Sequence, residues 1–323
     1  MIQIDVFDPN LNRVGVLQTW ISMVWREDYN DVGKFQIEVQ LADDAVKLLK
    51  PWNYCGMRGR KTVMVIQSVQ ITDNRIVANG AAAVWILDKR ISTTVIRRTN
   101  AESAMREIVG NMTPWPCVEL GDIVGLEDKY PNQASDGTVL AYCKTIGETV
   151  DMGFRLRKDG QRLLFECYKP PLNDNARYSD KYGNISDTTY TISDIGLANV
   201  ALVAGAGEGD ARIHVEVGAV EAVGSERFEV YIDARNIQPG EEETEEEYLE
   251  RLVNHGEQKL VDLRRVEAVK FSVQDDRAQL GDLIRVNLSS VNLQVQVRVV
   301  SEEIVSQRNQ IKRSIGVGTP MLI

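Results

Sequence analysis

Phe35-Gln36-Ile37-Glu38-Val39-Gln40-Leu41 alternates apolar and polar side chains without a break. Successive side chains of an extended chain point to opposite faces. This stretch therefore puts Phe35, Ile37, Val39 and Leu41 on one face, the pattern of a half-buried strand. The pattern continues outward in both directions. Gln3 to Phe7 alternates before a turn at Pro9-Asn10, and Thr19 to Trp25 reads as a second strand. Val63 to Ile71 and Arg75 to Asn79 flank Asp73-Asn74, which predicts a tight hairpin. Short strands separated by frequent turns predict a small barrel or sandwich over the first ninety or so residues.

From Arg90 the texture changes. Thr99-x-x-Glu102 has capping-box spacing, and Ala101, Ala104, Met105, Ile108, Val109 and Met112 follow at helical intervals, so a short amphipathic helix is predicted, ended by Pro114 and Pro116. A second helix is predicted from Ser135 or Asp136, burying Val139, Leu140, Cys143, Ile146 and Val150, with Gly153 as its stop signal. Asp159-Gly160, between Phe154 to Lys158 and Gln161 to Tyr168, is the strongest hairpin signal in the chain. Pro170-Pro171 through Asn184 reads as an extended connection. Strands are expected at Thr188 to Ile192, Ala198 to Ala204, Arg212 to Val217 and Phe228 to Asp233, with Gly205 to Asp210 as a loop. A third helix follows Pro239-Gly240, with a capping box at Thr244-x-x-Glu247 and an apolar stripe of Tyr248, Leu249, Leu252, Val253 and Leu260. Strands return at Ala268 to Val273, Leu283 to Leu288, Leu293 to Ile304 and Gln310 to Gly316.

The fold class expected is therefore α+β, predominantly antiparallel β, with two small β-barrel-like domains around a mixed α+β middle domain. The boundaries read as 1–95 for the first barrel-like domain, 96–170 for the peripheral α+β domain, 171–238 for a connecting β region, and 239–323 for the acidic helix with the second barrel-like domain. No residue-level repeat is visible, although the two ends share a plan.

Composition excludes several kinds of chemistry. The 323 residues are 43% hydrophobic and 26% charged, which suits a chain of two or three globular domains. Asp plus Glu outnumber Lys plus Arg by 47 to 37, a formal charge of −10, which disfavours a protein that grips nucleic acid or an anionic membrane. No apolar run is long enough to span a bilayer; the most apolar, Ala81 to Leu87, is far too short. Met1-Ile2-Gln3-Ile4-Asp5-Val6 reads as a strand rather than a signal peptide. Cys55, Cys117, Cys143 and Cys167 contain no C-x-x-C pair, so they read as reduced, buried thiols rather than as a zinc or disulfide framework.

Histidine-based catalysis is limited to two residues. His214 falls on the polar face of a strand, and His255 reads as a late-helix residue that favours the dipole. Gly205-x-Gly207-x-Gly209 has the wrong spacing for a dinucleotide loop, and Glu208 and Asp210 would repel a pyrophosphate. The same acids lack the terminal glutamate of a calcium loop. Arg58-Gly59-Arg60-Lys61 and Arg97-Arg98 have no interleaved aromatic platform and read as solvated turns or interface charges. No catalytic, cofactor-binding or metal-ligating residue is assigned, no cofactor is expected, and the chain reads as a non-enzyme.

Four segments stand out in order: Trp25-x3-Tyr29-x3-Gly33-x-Phe35-x-Ile37-x-Val39; Leu87-Asp88-Lys89-Arg90-Ile91; Tyr182-Gly183-Asn184-Ile185 with Asn199-Val200-Ala201 and Gly205-x-Gly207-Glu208-Gly209-x-x-Arg212; and Tyr231-Ile232-Asp233-x-Arg235 with Leu280-Gly281-Asp282-Leu283-Ile284. Together they resemble the tail hub family of long-tailed, non-contractile phages. That family includes the N-terminal hub domain of tail-associated lysins and is related to the baseplate hub of contractile-tailed phages. The resemblance implies a homotrimeric ring at the tail tip of the virion, built in the host cytoplasm. Two barrel-like domains per subunit would present six similar faces, adapting a sixfold tube to a threefold tip. The implied partners are the distal tail protein ring, the tail tube, the tape-measure protein, and the tail fibre or receptor-binding proteins. The ring would cap the tube and open for DNA ejection, letting DNA pass without specific binding or membrane insertion. Tail-associated lysins carry long C-terminal extensions, whereas this sequence stops at Ile323, so no lytic domain is expected here. A tail-associated cell-wall hydrolase is the alternative, and a nucleic-acid-binding barrel a third reading.

Six glutamates, Glu241, Glu242, Glu243, Glu245, Glu246 and Glu247, account for most of the net charge. They stand at one helix N-terminus, where the dipole favours carboxylates and a solvated face is expected.

Overall fold

A computed structural model describes residues 2–134, 137–240, 243–273, 275–307, 310–318 and 321–322. In chain order the strands and helices begin with β1 (Ile4–Phe7), β2 (Arg13–Leu17), β3 (Ser22–Asp28), β4 (Lys34–Gln40), α1 (Asp43–Leu48), β5 (Tyr54–Met57), β6 (Val63–Ile71) and β7 (Arg75–Ala82). After a 3-10 turn at Ala83–Lys89 come β8 (Ile91–Ser92), β9 (Ile96–Asn100), α2 (Ala101–Asn111), β10 (Val118–Leu120), β11 (Lys129–Ala134) and β12 (Gly137–Thr138). Next are α3 (Val139–Val150), β13 (Gly153–Asp159), β14 (Arg162–Tyr168), β15 (Leu172–Ser179), β16 (Ile185–Ser193), β17 (Val200–Ala204), β18 (His214–Gly218) and β19 (Glu229–Asp233). The chain closes with α4 (Glu245–Asp262), β20 (Val266–Val273), β21 (Leu283–Leu288), β22 (Leu293–Gln307), β23 (Gln310–Val317) and β24 (Met321–Leu322). With 46% strand against 21% helix, the fold is α+β and mostly antiparallel β.

The chain packs as two compact units. The first comprises Met1–Tyr190 and Ala268–Ile323, and the second Thr191–Glu267. The chain leaves the first unit near the end of β16 and re-enters it in β20, so the second unit is an insertion. The acidic helix α4 belongs to this insertion. Its Tyr248, Leu252 and Leu260 pack with Ala201 and Val203 of β17 and Val217 of β18.

In the first unit a single hydrogen-bonded path runs β16-β20-β23-β22-β3-β4-β7-β6-β5-β1-β2, with β15, β21 and β24 attached beside it. This path is open: among the described residues, neither group of strands returns to pair with itself, so barrel closure is not detected. The path instead contains one arrangement twice. The order β3-β4-β7-β6 is repeated by β16-β20-β23-β22, and the two sets join where β3 pairs with β22.

The likeness of the two sets reaches single residues. The β6–β7 ladder slips between Ile66 and Ser68, and the β22–β23 ladder slips between Val299 and Ser301, so Gln67 and Val300 are equivalent bulges. Before the bulge, Trp52 N donates to Ile66 O and Ile66 N to Asn53 O; in the second set Gly281 N donates to Val299 O and Val299 N to Asp282 O. Trp52 and Gly281 both lie at positive φ, 72° and 88°. The equivalence is one of backbone, and it explains why no repeat is legible in the residues.

Several local expectations are met. The capping box of α4 is present, with Thr244 Oγ1 accepting from Glu247 N and the Glu247 carboxylate accepting from Thr244 N. The Asp159-Gly160 hairpin forms between β13 and β14. Others change. Helix α2 is capped by Asn100, whose Oδ1 accepts from Ser103 N. Glu102 turns inward and accepts three backbone N–H bonds from Val124, Gly125 and Leu126. Helix α3 starts after Thr138; the predicted start at Ser135 or Asp136 lies outside the described residues, as do Glu241 and Glu242 of the acidic run. Asp151, not Gly153, ends α3, and Gly153 begins β13. The extended connection through Pro170 to Asn184 contains β15, which pairs in parallel with β21. Alternation is weak in β15 because its partner, remote in sequence, is what holds it in the sheet.

Candidate functional site

The two four-strand sets meet where β3 pairs with β22. Strand β22 pairs with β3 from Ser301 opposite Asp28 to Gln307 opposite Ser22, which sets Glu302 directly across from Glu27. Both carboxylates are buried, Glu302 with only 2% exposure. Like charges facing each other across a ladder destabilise it unless a cation intervenes. Arg60, from the turn after β5, supplies one: Nη1 lies 2.6 Å from Glu302 Oε2 and 3.7 Å from Glu27 Oε1. Arg313 of β23 donates to Glu302 from the other side at 2.5 Å. Trp25 Nε1 donates to Glu27 Oε1 at 2.8 Å. For Glu302, burial alone would raise the carboxyl pKa, but the hydrogen bonds and charges of Arg60 and Arg313 outweigh it and hold it below the ordinary value. For Glu27, burial wins over Arg60 and the carboxyl is pushed up. Arg60, expected in a solvated turn or as an interface charge, is thus drawn into the junction.

Two segments singled out in the sequence meet beside this junction. The Tyr29 hydroxyl is 3.1 Å from the Tyr168 carbonyl and 3.2 Å from that of Asp151, and the two tyrosine rings stand edge to face at 5.2 Å. Burial raises the Tyr29 phenol, so it serves as a neutral donor. Arg298 of β22, itself buried, bonds the Asp151 carboxylate at 2.7 Å and the carbonyls of Pro170 and Gly281 at 2.6 and 2.9 Å. The Tyr29 segment and the Leu280-Gly281-Asp282 segment therefore close on one anchor.

In the second unit the motif residues Arg212, Asp233 and Arg235 converge. Arg212 donates to Asp233 at 2.6 Å and to the Ala204 carbonyl at 3.0 Å, while Arg235 clasps the same Asp233. The Arg235 hydrogen bonds lead the effects that hold the Asp233 carboxyl well below the usual range. The glycine loop closes on α4, where the Tyr248 hydroxyl accepts from Ala206 N at 2.7 Å and donates to the Ile237 carbonyl at 2.8 Å. Tyr248→Phe leaves a buried N–H unpaired, so it is expected to cost the second unit about 1–3 kcal/mol. Denaturant unfolding and amide exchange at Ala206 check this; unchanged protection there contradicts it.

One surface feature was not legible in the sequence. Trp52, Trp85 and Trp115, from three separate segments, form a cluster with ring centroids 5.9 and 5.8 Å from Trp52. Lys89 sits 4.5 Å over Trp85 and Arg90 4.7 Å over Trp115. Cations placed over ring faces are held electrostatically. The aromatic platform missing beside Arg58 to Lys61 and Arg97-Arg98 is thus built around Lys89 and Arg90, in the Leu87 to Ile91 segment.

The groups that could carry chemistry are dispersed. His214 is exposed on β18. His255 lies inside α4 rather than near its end, and burial, with Lys259, lowers its pKa, so it does not act as the cationic dipole partner expected from the sequence. All four cysteines are free and buried, and burial pushes Cys55 and Cys167 up to about 12. Among the described residues no group of three or more His, Cys, Asp or Glu is placed to hold a metal ion. No helix among them is long and apolar enough to cross a membrane.

The fold is that of phage tail proteins. A tail protein from Neisseria meningitidis MC58 matches with TM-score 0.63 at 12% identity, over 98% of this chain and 96% of that one. The prophage MuSo2 43 kDa tail protein from Shewanella oneidensis matches with TM-score 0.62 at 11% identity, over 99% and 98%. Prophage tail protein gp18 from Listeria monocytogenes EGD-e matches with TM-score 0.55 at 14% identity, over 98% and 94%. No curated protein matches the sequence. Residues 3–319 match one family model, and the chain belongs to the Siphovirus ReqiPepy6 Gp37-like protein family. Family and fold together make it a phage tail structural protein.

Proposed function

We propose that this protein is the hub of the tail tip: a homotrimeric ring that caps the tail tube, matches a sixfold tube to a threefold tip, and opens for DNA ejection. The observation that carries the reading is the duplicated strand set. One chain holds β3-β4-β7-β6 and β16-β20-β23-β22 in a single sheet. Three chains then offer six equivalent sets, which is what a threefold ring needs to meet a sixfold one. On this reading the work is done by interfaces rather than by catalysis. The neighbours are the distal tail protein ring, the tube, the tape-measure protein and the fibre or receptor-binding proteins. The negative net charge suits a channel through which DNA slides without sticking. The acidic run at the start of α4 then belongs to a solvated rim.

Sedimentation of the purified protein, with immuno-electron microscopy of virions, provides the test. A three-subunit mass and label at the tail tip are expected. A protein that stays monomeric at high concentration and is missing from virions overturns the reading.

A further inference from the structure

We infer that the turn between β10 and β11 is a preformed apolar docking knob, and that its occupant is a second tail protein with an apolar pocket rimmed by lysine or arginine. This needs only a place in the tail and does not depend on the hub reading. The knob is moulded on α2, where Glu102, Arg106 and Gly110 recur at intervals of four and so share one face. Each holds one part of the turn. Leu120 lies over Gly110, its Cδ1 3.4 Å from where a Cβ would stand. Arg106 Nη1 donates to the Gly121 carbonyl at 2.8 Å and to that of Asp122 at 3.3 Å. The buried Glu102 carboxylate accepts from the backbone N–H groups of Val124, Gly125 and Leu126 at 2.6, 2.8 and 2.9 Å. Asn100 Nδ2 closes the far shoulder on the Leu126 carbonyl at 2.6 Å. At the near shoulder Gly121 N donates to Phe165 O at 2.9 Å.

A turn bonded along its whole length keeps one shape before it meets anything, and such preorganisation removes ordering cost from binding. Its tip nevertheless faces water with apolar side chains. Ile123 is 72% and Val124 56% exposed, and Leu120 beside them is 40% exposed. Polar residues at the tip would leave the turn intact, because its bonds are made by backbone atoms and by side chains of Asn100 and α2. A rigid apolar tip has the form of an anchor that fills a pocket on a partner. The charges around it select that partner. Asp122 and Glu127, both exposed, bracket the tip, and the exposed Glu119 precedes it. Carboxylates in these places repel an anionic lipid surface and complement a basic rim. The chemistry favours a protein over a membrane.

A photo-cross-linking phenylalanine analogue in place of Ile123, carried in assembled virions, tests this. The analogue at Leu120 serves where that at Ile123 blocks assembly. An adduct with a single other tail protein is expected, mapping to a peptide that carries lysine or arginine beside apolar residues. For that pair of purified proteins, Ile123→Asp with Val124→Asp is expected to weaken binding about a hundredfold while leaving the circular dichroism of the chain unchanged. Asp122→Lys with Glu127→Lys is expected to weaken it about tenfold at low salt and less at high salt. Glu102→Gln leaves the tip untouched; faster amide exchange at Val124 to Leu126, together with weaker binding, is expected. Virions that carry the analogue and give no adduct, or adducts only with lipid or between copies of this chain, overturn the inference. Binding indifferent to the tip or to the reversed charges overturns it as well. Each of these failures leaves the hub reading standing.

Discussion

Glu302→Gln lowers the unfolding free energy at neutral pH by about 3 kcal/mol, the order expected when one member of a buried ion cluster is removed. The loss is large because Glu302 accepts from both Arg60 and Arg313, so both guanidinium groups lose a carboxylate partner together. The sign with pH follows from the direction of the shift. The folded-state pKa of Glu302 is depressed, so its contribution is fully present above the unfolded value near 4.5 and is lost as pH falls through the folded value. The gap between wild type and variant therefore narrows in acid. Glu27→Gln behaves differently. The Glu27 pKa is raised, so what its protonation contributes is fully present below the unfolded value near 4.5 and is lost as pH rises through the folded value. Neutralising it is expected to change stability by no more than about 1 kcal/mol, since glutamine keeps the acceptor for Trp25. Urea unfolding of both variants across the acid range separates the cases. Equal losses from the two substitutions would show that the cluster does not act as described.

Gly281→Ala is expected to cost about 3 kcal/mol, again read from denaturant midpoints. Two effects combine. The residue lies at φ 88°, which disfavours any side chain by about 1–2 kcal/mol. A Cβ there stands 2.8 Å from ring carbons of both Tyr29 and Tyr168, and overpacking of that kind adds about 1–3 kcal/mol. Neither ring yields easily: the Tyr29 hydroxyl is held by the carbonyls of Tyr168 and Asp151, and Arg298 is bonded to the Gly281 carbonyl. Gly160→Ala is the control. It also has positive φ, 58°, but a Cβ there meets nothing within 4 Å, so only the smaller backbone cost of about 1 kcal/mol is expected. Equal costs at the two glycines would deny the tyrosine anchor its role.

Much of the secondary structure was legible because it rests on local rules. Alternation located β4, and a turn dipeptide located the β13–β14 hairpin. A side-chain cap located the start of α4, where Thr244 and Glu247 are near neighbours in sequence. Errors came where a remote partner won. Glu102 has the spacing of a capping box, yet the backbone N–H groups of Val124 to Leu126 take its carboxylate instead. Strand β15 lies in a stretch rich in proline, asparagine and aspartate, and only β21 makes it a strand.

The anchors were half visible. Tyr29, Gly281, Arg212 and Asp233 all stood in segments marked by resemblance, but nothing in their spacing told which would meet. Arg60, Glu27, Glu302 and the three tryptophans gave no local signal, because charge pairing and ring clustering depend on distance in space rather than on separation along the chain.

The sequence by itself determined the class: antiparallel strands with three of the four helices found among the described residues, a globular-type composition, and an acidic balance concentrated in one run. These follow from side-chain periodicity and counting. Only the tertiary structure decided that the strands form one open path, that the same four-strand set occurs twice, and that a buried ion cluster joins the copies. A ladder is held by backbone groups common to every residue, so two sets are built alike, bulge for bulge, from residues that share no pattern.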